Sequence, residues 1–561
     1  MNISSLKMLM KKLWNKKVLI VIVLVLCWTA LHIPGIFYGT SDSPMHVSYL
    51  TADEQSPING ALHIMEAKNL LVLQSHTTLY YGPLFAVMAL PGVIADFAFR
   101  LVTGAVTGAQ SYKDFIVFNW GGILAWSRLL AVLVGFMGMV AMYLLFLTRA
   151  INPSRKRWIA YSATLLLGAN YLYFEYANFF RHWIFVIVVL LWQLYLLVRI
   201  VESENDRKWL WFAQVVLTVF TFGISYIGIM YEVIWLPVLV KWLRDRSWKK
   251  LKEFAWYILW TAAGSAFIIW WYPYAFEKIL SVVGLAPSPT SMGAILDITG
   301  SVPVVSHSFW FYAHIVLVND WLLFVVGLIL LAALLWKRKI YRCYWLWTFI
   351  APAALTFLVF GYPAHHETRY ALPMVVMLAV ATLALYSVAQ SELRHHKKII
   401  KLSGLLLGLS LAISIIQIVG WERMIVAGPE ERRDIVPQLI AWQKQDPASK
   451  FLVYQSWPIG YAHTNAAYRD YVTNFGKSDY DMWKYIITIS PPKDVTPLNI
   501  YYSHNRYEPS EKDKAYSHII VKNNAILDQA IWDGSPYDEF DYRPWQIWTF
   551  KDYEDSYTIV K

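Results

Sequence analysis

Acidic residues at two places stand beside long apolar runs, where charged side chains are costly and often functional. Asp53 and Glu54 follow the first apolar run, and Glu175 ends a later one. A carboxylate held beside a substrate can act as a general base. Adjacent residues do not share a helix face, so one of Asp53 and Glu54 can face a cavity while the other caps a helix or faces water. The alternatives are a solvated acidic pair and, for Glu175, a solvated acid in an aromatic belt.

A short turn between two later apolar runs concentrates polar side chains of complementary chemistry. It contains His365, His366, Glu367, Arg369 and Tyr370. The planar cation of Arg369 suits a phosphate group at the membrane surface, and the histidines could donate hydrogen bonds to the same oxygens. The alternative is a hydrated loop with one arginine at the interface.

Two further charged residues lie inside apolar runs. Arg128 follows Trp126 and Ser127 near one end of the run 120–148, and Glu232 lies in the middle of another run. Glu232 could belong to a transport pathway, but we favour a structural group whose hydrogen bonds are satisfied.

The composition predicts a membrane protein. Of 561 residues, 57% are hydrophobic and 16% are charged, whereas soluble domains have roughly 45–50% and about 25%. The excess falls in runs of about 20 residues, the length that crosses a bilayer. The net charge of +11 comes from Lys and Arg between these runs rather than from a basic patch with interleaved aromatic residues, so no nucleic-acid partner is predicted. Both cysteines, Cys27 and Cys343, lie in apolar runs and predict neither a disulfide framework nor a zinc site.

The distribution of Lys and Arg predicts about 11 membrane crossings, with the N-terminus cytoplasmic and the C-terminus outside. Residues 1–17 carry five lysines. The predicted spans are 18–36, 120–148, 158–174, 183–201, 209–224, 226–243, 254–272, 316–336, 341–361, 371–391 and 402–421. Residues 81–105 are long enough to cross, but a crossing there would move the later basic loops outside. We therefore expect 81–105 to lie along the interface or to re-enter the membrane.

The predicted fold class is an all-α polytopic membrane protein with a small C-terminal α/β domain outside the membrane. The cytoplasmic segment 1–17 precedes a membrane domain, 18–421, which has outer loops at 37–119 and 273–315. Residues 422–561 contain strand-length stretches at 450–454, 485–489 and 518–521. The many Tyr and Trp rings of this domain fit core and interface packing, with sugar stacking as the alternative.

These residues, taken together, resemble the GT-C superfamily of membrane glycosyltransferases, which use polyprenyl-phosphate sugars, including its protein mannosyltransferase and aminoarabinose transferase branches. The superfamily has an acidic motif after its first span, matched here by Asp53-Glu54, and often a Gly-Pro-Leu segment, matched by Tyr81–Leu84. Its Arg-Leu span with a later Gly is matched by Arg128-Leu129 and Gly135.

Two more motifs extend the resemblance over most of residues 18–421. Glu175 matches a second acid in a short outer loop, and His365–Tyr370 is similar to a His-Lys-Glu-x-Arg-Phe motif with Lys replaced by His and Phe by Tyr. The family's Thr-Lys segment has no counterpart, since Gly223–Gly228 stands there. This departure leaves the donor contacts at that position unassigned.

The resemblance implies an inverting glycosyltransferase that transfers a sugar from a polyprenyl-phosphate donor to a hydroxyl of a lipid, glycan or protein acceptor at the outer face. Asp53 is then the general base, with Glu54 and Glu175 supporting it. The roles implied for the other residues are donor-phosphate binding by Arg369, His365, His366 and Arg128, and orientation by Glu367 and Tyr370. No cofactor and no metal are predicted, although acids and histidines could hold a divalent ion. The alternatives are a multispan transporter or lipid flippase of envelope glycan assembly, and a non-catalytic envelope protein that binds through its C-terminal domain.

Overall fold

The computed structural model describes residues 16–37, 52–75, 82–116, 121–154, 156–203, 208–276, 310–338, 345–361, 371–427, 442, 445–446, 448–449, 451–454, 500–503, 517–523 and 556–559. Its α-helices are Lys16–Leu31, Ile33–Phe37, Ala52–Ala67, Pro83–Val102, Ala109–Ile116, Gly121–Leu145, Arg157–Gly168, Tyr171–Ala177, His182–Glu202, Lys208–Ile224, Leu236–Arg244, Trp248–Trp271, Phe311–Trp336, Trp345–Gly361, Leu372–Glu392 and Lys397–Ala427. Leu70–Ser75 and Tyr226–Trp235 are 3-10 helices, and the strands are Phe451–Tyr454, Ile500–Ser503, His518–Asn523 and Ser556–Ile559.

The predicted multi-pass membrane architecture is confirmed. Within the described residues, six helices are long and apolar enough to cross a membrane: Pro83–Val102, Gly121–Leu145, His182–Glu202, Trp248–Trp271, Leu372–Glu392 and Lys397–Gly420. Shorter apolar helices coincide with four of the other predicted spans: Val21–Leu31, Lys208–Ile224, Asp320–Trp336 and Trp345–Val359. The number of crossings and the side on which each terminus lies stay predictions.

The predicted span 226–243 is not one continuous α-helix. A 3-10 helix of 10 residues, Tyr226–Trp235, leads into an α-helix of 9 residues, Leu236–Arg244. Pro237, which lacks an N–H, stands in the first turn of that α-helix. A 3-10 helix rises about 2.0 Å per residue, so the two pieces laid end to end would measure about 33 Å, close to the thickness of the hydrocarbon.

Helix Pro83–Val102 packs so that both of its ends meet the predicted outer ends of other spans. At its start, the Gly82 N–H donates to the Ile224 carbonyl at 2.8 Å, and the Phe85 ring lies 6.4 Å from that of His182. Toward its end, a Cβ on Gly122 would lie 2.1 Å from an Asp96 carboxylate oxygen. A helix that crossed the membrane would put its ends on opposite faces. These contacts therefore support the placement of 81–105 along the interface, which stays a prediction.

The short helix Tyr171–Ala177 is buried among other helices. All seven of its side chains are buried. It contacts helices Gly121–Leu145, His182–Glu202, Leu372–Glu392 and Lys397–Ala427. The predicted span 158–174 is therefore interrupted, because helix Arg157–Gly168 ends before Asn170 and a second helix begins there. Elements from both halves of the chain thus surround Glu175.

The C-terminal strands form a mixed sheet. Phe451–Tyr454 pairs in parallel with Ile500–Ser503 on one side and with His518–Asn523 on the other. Ser556–Ile559 pairs antiparallel with His518–Asn523. Two of the three predicted strands, 450–454 and 518–521, are confirmed, and 485–489 lies outside the described residues.

Candidate active site

A buried ion pair joins two residues that were predicted to have separate roles. The Arg128 Nη2 atom lies 2.8 Å from Glu54 Oε2, and Arg128 Nε lies 3.1 Å from Glu54 Oε1. Both side chains have no exposed surface. The geometry is bidentate, the strongest arrangement for an arginine and a carboxylate.

Glu54 and Arg128 each also form a hydrogen bond with a backbone group of another segment. The Phe180 N–H donates to Glu54 Oε1 at 2.6 Å, and Arg128 Nη1 donates to the Gly35 carbonyl at 3.2 Å. The guanidinium carbon lies 5.4 Å from the centre of the Phe179 ring. The pair therefore connects helix Ala52–Ala67, helix Gly121–Leu145, the end of the first span and the segment after Glu175.

The predicted general base adjoins this pair in sequence. Asp53 lies in the first turn of helix Ala52–Ala67, and its side chain lies outside what the structure describes. Since Glu54 is fixed by three charge-assisted contacts, the backbone of the turn that carries Asp53 is fixed as well. Donor-phosphate binding by Arg128 stays a prediction, and in this structure its guanidinium is engaged by Glu54.

Glu175 lies past the end of the predicted span 158–174 and is 6% exposed. Burial raises the pKa of its carboxyl from the usual 4.5 to about 8, against smaller lowering effects from a Tyr171 hydrogen bond and the Arg181 charge. A carboxyl with a raised pKa can exchange a proton near neutral pH. Five residues later along the chain, the Phe180 N–H donates to Glu54, so the segment that follows the second acid contacts the first.

The sequence predictions missed a pair of polar residues at the start of the helix that carries Glu175. The Asn170 Nδ2 atom donates to both oxygens of Asp320, at 3.1 and 3.0 Å, and Asn170 Oδ1 accepts from the Tyr173 N–H at 3.1 Å. Asn170 is thus the N-cap of helix Tyr171–Ala177. Asp320 is a lone acid in a highly apolar helix, a signal that could have identified it.

Glu232 is surrounded by hydrogen-bond donors. Its Oε1 accepts from Gln193 Nε2 at 2.7 Å and from the Thr218 hydroxyl at 2.9 Å, and its Oε2 accepts from the Tyr257 hydroxyl. A carboxylate with three donors is satisfied within the protein and fits the structural role favoured from the sequence.

The described part of the predicted Gly-Pro-Leu segment, Gly82–Leu84, meets the end of helix Lys208–Ile224. A Cβ on Gly82 would lie 2.1 Å from the Gly223 carbonyl oxygen, so only glycine fits at position 82 while the backbones stay this close. The start of helix Pro83–Val102 is therefore fixed to the end of helix Lys208–Ile224.

The predicted phosphate-binding turn lies outside the described residues, with His365, His366, Glu367, Arg369 and Tyr370. Within the described ranges there is no group of three or more His, Cys, Asp or Glu residues that could hold a metal ion. Operation without a metal stays a prediction.

No protein-family model matches the chain, and no curated protein matches its sequence. The structure is similar to the crystal structure of ArnT from Cupriavidus metallidurans bound to undecaprenyl phosphate, with 12% identity, a TM-score of 0.48, and 90% of this chain and 94% of that chain covered. It is also similar to ArnT from the same organism in the apo state, with 13% identity, a TM-score of 0.46, and 91% and 95% covered.

Proposed function

We propose that this protein is a membrane glycosyltransferase of the GT-C type, which transfers a sugar from a polyprenyl-phosphate donor to an acceptor hydroxyl. The observation that carries the proposal is the buried contact of Glu54 with Arg128 and the Phe180 N–H. It holds the first acidic motif against the segment that follows the second acid, Glu175, more than 100 residues away in sequence. Distant polar residues of a polytopic membrane protein that converge on one place are more typical of a site than of separate loops.

In the proposed reaction, Asp53 deprotonates the acceptor hydroxyl, and the oxygen displaces the lipid phosphate from the anomeric carbon with inversion. The bond between the sugar and the phosphate breaks as the new glycosidic bond forms, and the phosphate takes the negative charge. Arg369, with His365 or His366, stabilises that charge electrostatically. Glu54 acts through Arg128 to position Asp53, and Glu175 strengthens or orients the base.

The transporter alternative depends on a mid-membrane acid that is available to a substrate or ion. Glu232 is the acid that suggested it, and its two oxygens are occupied by Gln193, Thr218 and Tyr257. All three partners donate hydrogen bonds to the carboxylate from within the protein, as expected of a structural group. The described contacts of Glu232 therefore favour a structural role over a place in a transport pathway.

The test of the proposed function compares Asp53→Asn and Arg369→Ala with the wild-type protein in membranes supplied with lipid-linked sugar. Loss of a positioned base lowers transfer by roughly 10²–10⁴-fold, and we expect a comparable loss at Arg369. Glu66→Gln is a matched control, because Glu66 is an acid of the same helix that is half exposed and pairs with Lys113. Near-normal transfer by both variants, at normal protein abundance, would contradict these roles.

The donor and acceptor are to be identified by analysis of lipid-linked glycans from a strain that lacks the protein. We expect a polyprenyl-phosphate sugar to accumulate and one glycan, lipid or protein to lose that sugar. A strain with unchanged lipid-linked glycans and unchanged acceptors would refute transfer from such a donor.

A further inference from the structure

Asn170 connects a buried acid on one helix to the short helix that carries Glu175. Its side chain uses both ends: Nδ2 donates to Asp320, and Oδ1 accepts from the Tyr173 N–H. Asn170 is 2% exposed and Asp320 is 3% exposed. A buried amide with both ends bonded has one orientation, so it transmits the position of Asp320 to the first turn of helix Tyr171–Ala177.

Asp320 lies where its own helix is interrupted. Helix Phe311–Trp336 has non-helical backbone angles at Asp320, with φ −135° and ψ 31°. A kink in a long helix requires a local cause such as a polar side chain that competes with the helical hydrogen bonds. The helix that follows the kink is held to helix Leu372–Glu392, since the Thr382 hydroxyl donates to the Leu323 carbonyl at 3.2 Å.

We propose that Asp320 is a positioning residue of the active site, which acts through Asn170 to fix the short helix that carries Glu175. This proposal rests on the proposed function, in which Glu175 supports the base. The Asp320–Asn170 contact joins residues 150 positions apart, so it links the C-terminal half of the membrane domain to the acids of the first half.

The direction of the hydrogen bond gives a test that separates positioning from general packing. The variant Asn170→Asp is studied at a pH high enough to ionise both acids, because two facing carboxyl groups otherwise share a proton and one donates to the other. Under that condition the new carboxylate keeps the cap on Tyr173 but cannot donate to Asp320, and two buried carboxylates face each other. In the double variant Asn170→Asp with Asp320→Asn, the new amide at position 320 donates to the new carboxylate at position 170. The pair is then restored with the donor and acceptor exchanged. Asp320→Asn alone retains an oxygen that accepts from Asn170, so it is expected to disturb the contact less than Asn170→Asp does.

The first measurement is amide hydrogen exchange of residues 171–177 in detergent, which does not depend on activity. We expect Asn170→Asp to speed exchange roughly 10- to 100-fold, the range that corresponds to loss of one charge-assisted hydrogen bond. The double variant is expected to return close to wild type, and Asp320→Asn to change it little. A double variant that exchanges as fast as Asn170→Asp, or an Asp320→Asn variant with the same loss, would overturn the proposal.

The second measurement is the pH profile of sugar transfer. We expect Asn170→Asp to lower kcat with little change in KM. It is also expected to shift the midpoint of the part of the pH profile that follows the titration of Glu175. The double variant is expected to restore that midpoint. A fall in kcat without any shift of the pH profile would mean a purely structural role and would refute positioning. If the wild-type protein itself transfers no sugar while hydrogen exchange responds as expected, the proposed function fails and the Asp320–Asn170 link to the helix stands.

Discussion

The buried pair of Glu54 and Arg128 gives the sharpest prediction about stability. Both side chains are fully buried, so replacing one of them leaves the other charged and unpaired in a low-dielectric environment. Breaking such a pair from one side typically costs about 3–5 kcal/mol. We therefore expect Glu54→Gln and Arg128→Met each to lower the free energy of unfolding by that amount.

The double variant is expected to be far less destabilised than the sum of the two single variants. With both charges removed, no uncompensated charge remains, and the loss is expected not to exceed that of either single variant. The coupling energy from the double-mutant cycle is then at least about 3 kcal/mol. The pair Lys113 and Glu66 is the matched control, because its side chains are 37% and 51% exposed, and an exposed pair contributes less than about 1 kcal/mol.

The assay is equilibrium unfolding in mixed detergent micelles, followed by tryptophan fluorescence, for all four members of each cycle. Losses that add within about 0.5 kcal/mol for Glu54 and Arg128 would mean that the two residues are energetically independent. That result would refute the argument that the pair holds the turn containing Asp53 in place.

Three further predictions concern other groups. Because the folded-state pKa of Glu175 is raised from 4.5 to about 8, the folded state binds more protons than the unfolded state in that window, so stability falls as pH rises from 4.5 to about 8. Glu175→Gln is expected to flatten that fall in thermal melts recorded across the window, and an unchanged slope would contradict the raised pKa. Glu232→Gln keeps acceptor capacity and should leave sugar transfer within roughly 3-fold of wild type at normal abundance; complete loss of transfer would revive a functional role for Glu232. A chain shortened to residue 427 tests whether activity resides in the membrane domain, where robust transfer is expected, and inactive but folded protein would shift the function toward the C-terminal domain.

Local sequence patterns were sufficient for the helices and for part of the sheet. Runs of apolar residues predicted the helices Gly121–Leu145, His182–Glu202 and Leu372–Glu392 to within a few residues, because a span is defined by its length and composition. The stretches at 450–454 and 518–521 predicted two strands, because short runs of β-branched and aromatic residues are typical of strands. The interruption at Asn170 and the 3-10 helix Tyr226–Trp235 were missed, since hydropathy does not distinguish a broken or tightly wound span from a regular one.

Apolar runs and charge distribution alone predicted a multi-pass membrane protein, with Asp53 and Glu54 after the first run, Glu175 at the end of another and Arg128 inside a third. The contacts among these side chains became visible in the folded structure. Glu54 pairs with Arg128 and accepts from Phe180, and Asp320 pairs with Asn170. The physical reason is that a buried charge must find its partner in three dimensions, and that partner can lie 74 or 150 residues away, a distance over which neither periodicity nor spacing carries information.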